Sequence, residues 1–326
     1  MAKMTMVQAL NLALRQEMER DDGVIVLGED VGVDGGVFRV TEGLHERFGE
    51  MRVVDTPLAE TGIVGMSIGM AVYGLKPVCE IQFSGFAYQN FHQIENHASR
   101  LRWRSQGRYH VPMVLRAPYG GGVRALEHHS ESREAFWAHI PGLKMVIPSG
   151  PRNARALLVS AIRDPDPVIF YEAKALYRAF REEVPEEEET LPLGVSRIAR
   201  EGEDLTLIAY GAMLRPTLEA AARLEQQRGV SAEVIDLLTI SPLDDTLFVA
   251  SAKKTGHVMI VHEAPMSFGP GAEIVARLVE KAFYHLEVPV GRVTGYDVVI
   301  PMFSREKHYI PGVERIVHEA EKLLEA

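Results

Sequence analysis

Short runs of almost wholly apolar residues alternate with longer amphipathic segments along the chain, and this alternation restricts the fold more than any other feature. The runs Val24–Leu27, Arg52–Asp55, Pro77–Phe83, Val111–Leu115, Leu143–Ile147 and Pro167–Tyr171 read as strands. Between them, 60–75, 86–104, 133–139 and 152–163 carry helical periodicity. A further helix precedes the first strand. Thr5 is its candidate cap, and Val7, Leu10, Leu14 and Met18 fall on one face. Strands that are apolar on both faces and separated by helices belong to a mainly parallel sheet covered on both sides.

The rhythm breaks at 181–192, where Glu182, Glu183 and Glu186–Glu189 cluster with two prolines. So much charge reads as an exposed linker rather than core, with an acidic docking motif as the other reading. Alternation then restarts, with strands at 205–209, 232–237, 258–261 and 290–294 and helices at 214–228, 247–253, 272–286 and 313–324. The expected fold class is α/β with two doubly wound domains. A first domain over 1–185 and a second over 201–326 flank an acidic linker at 186–200.

Composition removes several function classes. The 326 residues carry a net charge of −10, which argues against general nucleic-acid affinity. Arg100, Arg102 and Arg104 around Trp103 form a local basic patch, read as a helix end or protein contact before an RNA site. No apolar run approaches the ~20 residues a membrane span needs, and Gln8, Asn11, Arg15 and Glu17 rule out a signal peptide at the start. Cys79 is the one cysteine, so an intrachain disulfide is impossible, which suits a reducing cytoplasm.

Chemistry in open parallel sheets sits beyond the carboxyl ends of the strands. Four such ends carry polar loops: Gly28–Glu29–Asp30, Asp55–Glu60, Gln82–Phe86, and the glycines 120–122 leading to His128–His129–Ser130. No phosphate-cradling lysine loop and no G-x-G-x-x-G after the first strand is present. Gly32, Gly35 and Gly36 could hug a phosphate, although turn geometry alone accounts for them. Glu127, His128, His129 and Glu131 lie too close in sequence to converge on a zinc ion without distant partners. Gly62, Gly65 and Gly69 form a stripe on one helix, costing about 1 kcal/mol each relative to alanine. Close approach of another helix, from a partner subunit or from the same domain, would offset that cost.

Several collinear stretches together resemble the beta subunits of pyruvate and branched-chain 2-oxo acid dehydrogenases, in their decarboxylating component. They are Met6–Leu10, Leu27–Gly32, Asp55–Glu60, Glu80–Phe83, His129–Ser130, Pro141–Lys144 and His262–Pro265, spread over the whole chain. The resemblance implies a thiamine-binding pyrimidine domain followed by a transketolase C-terminal-like domain. It implies thiamine diphosphate shared between subunits, the beta chain holding the aminopyrimidine and an alpha chain the diphosphate and its Mg2+. The family's diphosphate motif, Gly-Asp-Gly followed by Asn, is absent here. The chain therefore reads as half an enzyme, with two alpha and two beta chains expected in the assembly and a lipoyl acyltransferase core as further partner.

By the same resemblance Glu60 is the glutamate that hydrogen-bonds the pyrimidine ring and activates the cofactor, and His129 contacts substrate and the incoming lipoyl group. Glu29, Leu58, Ala59, Gln82 and Phe86 match positions lining the cofactor pocket, Phe86 being closer to the pyruvate enzymes. A structural potassium site maps onto Met113, Ala161, Ile162, Asp164 and Asp166, against the alternative of an ordinary turn around Pro165 and Pro167. Ala59 replaces a usual serine and Glu131 a usual glutamine; His128 stands where tyrosine or leucine is commoner. The expected substrate is pyruvate or a branched-chain 2-oxo acid. Other readings are the beta subunit of an acetoin dehydrogenase, a split transketolase, a non-catalytic assembly partner, or a nucleotide-binding electron-transfer subunit.

Overall fold

The computed structural model describes all 326 residues, Met1–Ala326. The chain divides into two compact units. Unit 1 comprises Met1–Tyr119 and Phe136–Leu193, and unit 2 comprises Gly120–Ala135 and Gly194–Ala326.

In unit 1 six strands run parallel, in the order Lys144–Val146, Val168–Ala173, Val114–Tyr119, Lys76–Glu80, Val24–Gly28, Val53–Asp55. Every residue of Val24–Gly28, Val114–Tyr119 and Val168–Ala173 is buried. That follows from helices covering both faces, and it explains why these strands read as continuous rather than alternating apolar runs. Thr5 starts the Met6–Arg20 helix through a reciprocal capping box with Gln8. This helix packs along Pro151–Arg163. Glu17, buried in the seam, takes both Nε and Nη2 of Arg163 at 2.9 and 2.6 Å.

Two differences from the sequence reading have physical causes, and the glycine stripe, left open there, is met from within the unit only in part. The expected single helix over 86–104 is broken into a 3-10 segment Ser84–Asn90, one turn Phe91–Gln93, a wide π turn Ile94–Ala98 and a last turn Leu101–Arg104. The Pro141–Gly142 turn crowds the widened turn: a Cβ on Gly142 would lie 2.4 Å from the Ser99 carbonyl oxygen. The acidic stretch is not an exposed linker throughout. Glu182–Val184 pairs antiparallel with Ala2–Met4, the Glu187 carbonyl and the Glu188 and Glu189 carboxylates accept from Arg155, Arg163 and Arg152, and Arg197–Arg200 is already a strand of unit 2. Arginines spaced along one helix turn the glutamate run into a strap over unit 1. On the Glu60–Val72 helix a Cβ at Gly65 would meet the Gln93 side chain at 3.8 Å, whereas nothing lies within 4 Å of one at Gly69.

Unit 2 holds a five-stranded sheet, in the order Gly291–Gly295, Val258–Pro265, Leu205–Ala209, Ala232–Asp236, Arg197–Arg200. The first four strands are parallel and the last is antiparallel. Leu214–Arg228, Thr246–Thr255, Pro270–Ala282 and Val313–Leu324 are its main helices, the first two ending on left-handed glycines, Gly229 and Gly256.

The heart of unit 1 contains a charged group that periodicity alone does not announce. Arg116, in register beside Glu80, donates from Nη1 to Glu80 at 2.7 Å and from Nε and Nη2 to Glu172 at 2.7 and 2.9 Å. Tyr177 adds its hydroxyl to Glu172 at 2.6 Å, and all four side chains are buried. Removing one member of a buried ionic group leaves the others uncompensated. Arg116→Leu is therefore expected to cost about 3–5 kcal/mol of stability in urea unfolding; a loss below about 1 kcal/mol would contradict this.

Candidate functional site

Two constellations stand out, one in each unit. In unit 1 the strand Val24–Gly28 ends where Glu29 and Asp30 turn away, Asp30 in a left-handed conformation with φ 58°. Gly28 is required there, because a Cβ would lie 2.6 Å from the Glu80 carbonyl oxygen. The neighbouring strand ends at Asp55, whose carboxylate accepts the N–H groups of Gly32 and Val33 at 2.6 and 3.1 Å. The Thr56 N–H bonds the Gly28 carbonyl at 2.9 Å, and Gln82 donates to Asp30 at 2.7 Å. Three strand ends are thus laced together around Glu29.

The helix that follows begins at Glu60 with no side-chain cap on its N-terminus, and Glu60 is 5% exposed. Glu29 is 8% exposed. Burial raises its carboxyl above the usual range, the charges of Glu60 and Asp30 add to this, and the Ala59 N–H opposes it. Glu29 and Glu60 therefore lie near enough to repel. Oε1 of Glu29 and Oγ1 of Thr56 are buried with no hydrogen-bond partner within the chain. Polar atoms of this kind are paired in finished structures, so they mark where a further polar group fits. Ala59 stands beside Glu60, while Leu58 points outward, 81% exposed. Gln82 and Phe86 are half-buried, with Phe83 edge-on to Phe86 at 5.9 Å. The Gly32 and Gly36 amides are spent on Asp55 and on the Asp30 carbonyl, so this cluster serves the turn rather than a phosphate.

In unit 2 the glycines and His129 form one loop. It is closed at its base by the Gly120 N–H bonding the Glu131 carbonyl at 3.1 Å, and Glu127–His129 is a single 3-10 turn near its far end. His128 is exposed and His129 half-buried. Behind the loop lies a group of acids that the sequence reading did not single out. Glu263 accepts the Gly121 N–H and Glu306 accepts those of Gly122 and Arg124, each at 2.9 Å. Glu134 accepts from the Tyr210 hydroxyl at 2.5 Å, and its second oxygen is buried without a partner. Burial lifts the Glu134 carboxyl to about 7, the Tyr210 bond opposes, and the Glu263 charge adds to the rise. His262 is buried and held down to about 4 by desolvation; its ring lies between the Ala264 carbonyl and the Gly271 N–H. It is neutral and structural. The one available signal for these residues was a lone acid at the edge of an apolar run, as at Glu263.

The expected potassium residues do converge in unit 1, but with cations of their own. Lys144 bonds both oxygens of Asp164 at 2.6 Å, and Arg102 bonds both of Asp166 at 2.7 and 2.8 Å. The Met113 and Ala161 carbonyls accept the N–H groups of Val168 and Asp164. Neither carboxylate needs a metal ion for charge balance, so this set fits potassium only through main-chain oxygens, with Ile162 alongside. Those same ion pairs, with Arg100 on Glu95 and Asn96, occupy the basic patch around Trp103. No group of three or more His, Cys, Asp or Glu side chains is arranged to hold a metal ion.

Comparison with known proteins places the chain among characterised families. Residues 2–179 match the transketolase pyrimidine binding domain and residues 194–316 the transketolase C-terminal domain. The chain is 49% identical over 326 residues to the pyruvate dehydrogenase E1 component subunit beta of Acholeplasma laidlawii, covering 100% of this chain and 99% of that protein. It is 50% identical over 325 residues to the protein of the same name from Staphylococcus epidermidis, covering 100% of both. The chain belongs to the pyruvate dehydrogenase E1 beta-subunit family. Among solved structures, a split gene transketolase described as an inactive beta4 tetramer superposes with a TM-score of 0.82 over 99% of each chain. At 22% identity that likeness shows the two-domain α/β fold, as the sequence led one to expect. These matches imply a thiamine diphosphate-binding family. No helix is long and apolar enough to cross a membrane.

Glu134 provides a measurable pH signature for the acids of unit 2. A carboxyl raised from 4.5 to about 7 on folding is no burden below pH 4.5, and its ionisation penalty is complete above pH 7. Wild-type stability from this group is therefore lost as pH rises through that window. Glu134→Gln stays neutral, so its stability relative to wild type should rise between those limits by the order of 3 kcal/mol in urea unfolding. A pH-independent offset would contradict the assignment.

Proposed function

We propose that the chain is the beta subunit of a thiamine diphosphate-dependent pyruvate dehydrogenase, catalytically competent only with an alpha subunit. The observation that carries this is the buried carboxyl pair Glu29 and Glu60 at the carboxyl ends of parallel strands, with an unpartnered oxygen on Glu29. The residues present fit the aminopyrimidine of the cofactor. Glu60 would hold a ring nitrogen, the Glu29 and Thr56 oxygens would meet polar substituents, and Ala59, Gln82 and Phe86 would line the ring, with Leu58 at the rim. Bound there, the cofactor supplies a carbanion equivalent able to attack a 2-oxo acid.

The chain's own contribution is proton placement. Glu60, shielded from water at a helix N-terminus, would hold a ring nitrogen of the aminopyrimidine and share a proton with it. Burial and the neighbouring acidic charges raise the Glu29 carboxyl above its usual range, which would limit the negative charge beside that bond. His129, on its loop in unit 2, would meet the substrate and the lipoyl group and pass a proton to the developing oxyanion. Pyruvate is preferred over a branched-chain 2-oxo acid because relatives about half identical carry that name, and Phe86 is the aromatic this resemblance associates with pyruvate.

An alpha subunit accounts for what the chain lacks and for what it exposes. The chain carries no diphosphate motif, so that subunit would hold the diphosphate and its Mg2+. The Glu60–Val72 helix leaves Met66, Val72 and the exposed glycines 62 and 69 uncovered, next to Leu58 and Tyr73. Two alpha and two beta chains, a lipoyl acyltransferase core as acceptor, and a cytoplasmic setting complete the proposal. A potassium ion, if bound, would rest on the main-chain oxygens of Met113, Ala161 and Ile162.

Glu60→Gln, assembled with the alpha chain, is expected to lower pyruvate-dependent reduction of an artificial electron acceptor by at least about 100-fold while leaving the assembly intact. Turnover above about a tenth of wild type would remove Glu60 from the role given to it.

A further inference from the structure

The loop Gly120–Glu131 carries His129, and its base is held by an unusual set of bonds. Three of its main-chain N–H groups, at Gly121, Gly122 and Arg124, donate to carboxylates that come from far along the chain, Glu263 and Glu306. Glu306 divides its two oxygens between Gly122 and Arg124 at 2.9 Å each, and it is 3% exposed. The fit is close. A Cβ on Gly121 would lie 2.8 Å from Glu306 Oε1 and 2.6 Å from Ile310 Cδ1, and one on Gly120 would lie 2.5 Å from Glu263 Oε1. Gly120, Gly122 and Arg124 all have positive φ, at 77°, 92° and 57°. A non-glycine residue such as Arg124 holds that conformation only where its surroundings enforce it, and here its N–H is captured by a carboxylate.

We propose that Glu306 is a positioning residue for His129. Its bidentate grip on two N–H groups selects one conformation of the loop and so places the imidazole. Charge-assisted bonds of an ionised carboxylate to N–H groups are about twice as strong as neutral ones, and two from one side chain fix direction as well as distance. Glu263 supports the adjoining amide. Nothing in Glu306 itself touches reacting groups; it acts through the loop. The proposal rests on the reading of His129 as the residue that meets substrate and lipoyl group.

The test uses the assembled alpha–beta enzyme with a free lipoyl domain as acceptor. Glu306→Gln puts an amide NH2 against one of the two N–H donors, whereas Glu306→Asp keeps the charge and shortens the reach. Hydrogen exchange at residues 121–124 should quicken by about tenfold or more in Glu306→Gln and less in Glu306→Asp. Acyl transfer to the lipoyl domain should fall by about tenfold, with thiamine diphosphate affinity changed by less than about threefold and partial rescue in Glu306→Asp. In a His129→Ala background, Glu306→Gln should cost less than about twofold more. Losses that multiply in the double variant, or unchanged exchange in the loop, would overturn the positioning role while leaving His129 in place. Normal acyl transfer in His129→Ala alone would instead overturn the reading of His129 and the positioning role with it. Should Glu306→Gln fail to assemble, Glu306→Asp is held to the same comparison in both backgrounds.

Discussion

Arg116 binds Glu80 and Glu172 inside a sheet whose strands are otherwise apolar, and the geometry of the unit 1 site follows from that burial. Three charges and a tyrosine hydroxyl away from water can coexist only if their hydrogen bonds are met, which pins three parallel strands to one another at a fixed height. Glu80 pairs in register with Gly28, the residue before Glu29, and the Glu80 carbonyl is what Gly28 must avoid. The turn that presents Glu29 is thus set by the backbone next to the ionic group. Burial raises the Glu80 carboxyl, Arg116 opposes, and Glu172 adds to the rise.

Both units use the same device at their functional ends, a carboxylate withheld from water. In unit 1 the consequence is that burial, with the Glu60 and Asp30 charges adding, raises the Glu29 carboxyl above its usual range. In unit 2 Glu306 gives both oxygens to main-chain N–H groups and Glu263 gives one, so they belong to the scaffold, whereas Glu134 keeps one buried oxygen without a partner. Glu29 and Glu134, each with an unpartnered buried oxygen, thus differ from Glu306, which holds a loop. An acid with a free oxygen can exchange a proton with a ligand, and an acid with both oxygens bonded to amides cannot do so without loosening the chain.

Much of the fold was legible in the sequence because parallel strands buried on both faces leave an unmistakable mark, and Val24–Gly28 and Val168–Ala173 carry it. The 86–104 segment reads as one helix in sequence, and its close approach to the Gly142 backbone at Ser99, between residues far apart in the chain, leaves no mark in periodicity. The glutamate run at 186–189 looked like a solvated linker since its partners, Arg152, Arg155 and Arg163, reveal themselves only once a helix aligns them. Glu60 stands out through the family resemblance; on residues alone it reads as a helix-start acid, and the structure shows it at the helix start and buried. Glu306 was not legible at all, because the groups it binds are main-chain amides, which no side-chain pattern records. The potassium residues were found together, yet Lys144 and Arg102 had to be seen in place to show that both acids already had counter-charges.

By the proposed function this chain supplies half of a cofactor site. Titration of thiamine diphosphate and Mg2+ by calorimetry, into the chain alone and into the chain assembled with an alpha subunit bearing the Gly-Asp-Gly…Asn motif, tests it most directly. The account predicts no measurable binding to the chain alone and one cofactor bound per alpha–beta pair in the assembly. Equally tight binding to the isolated chain, or no binding to the assembly, would contradict it.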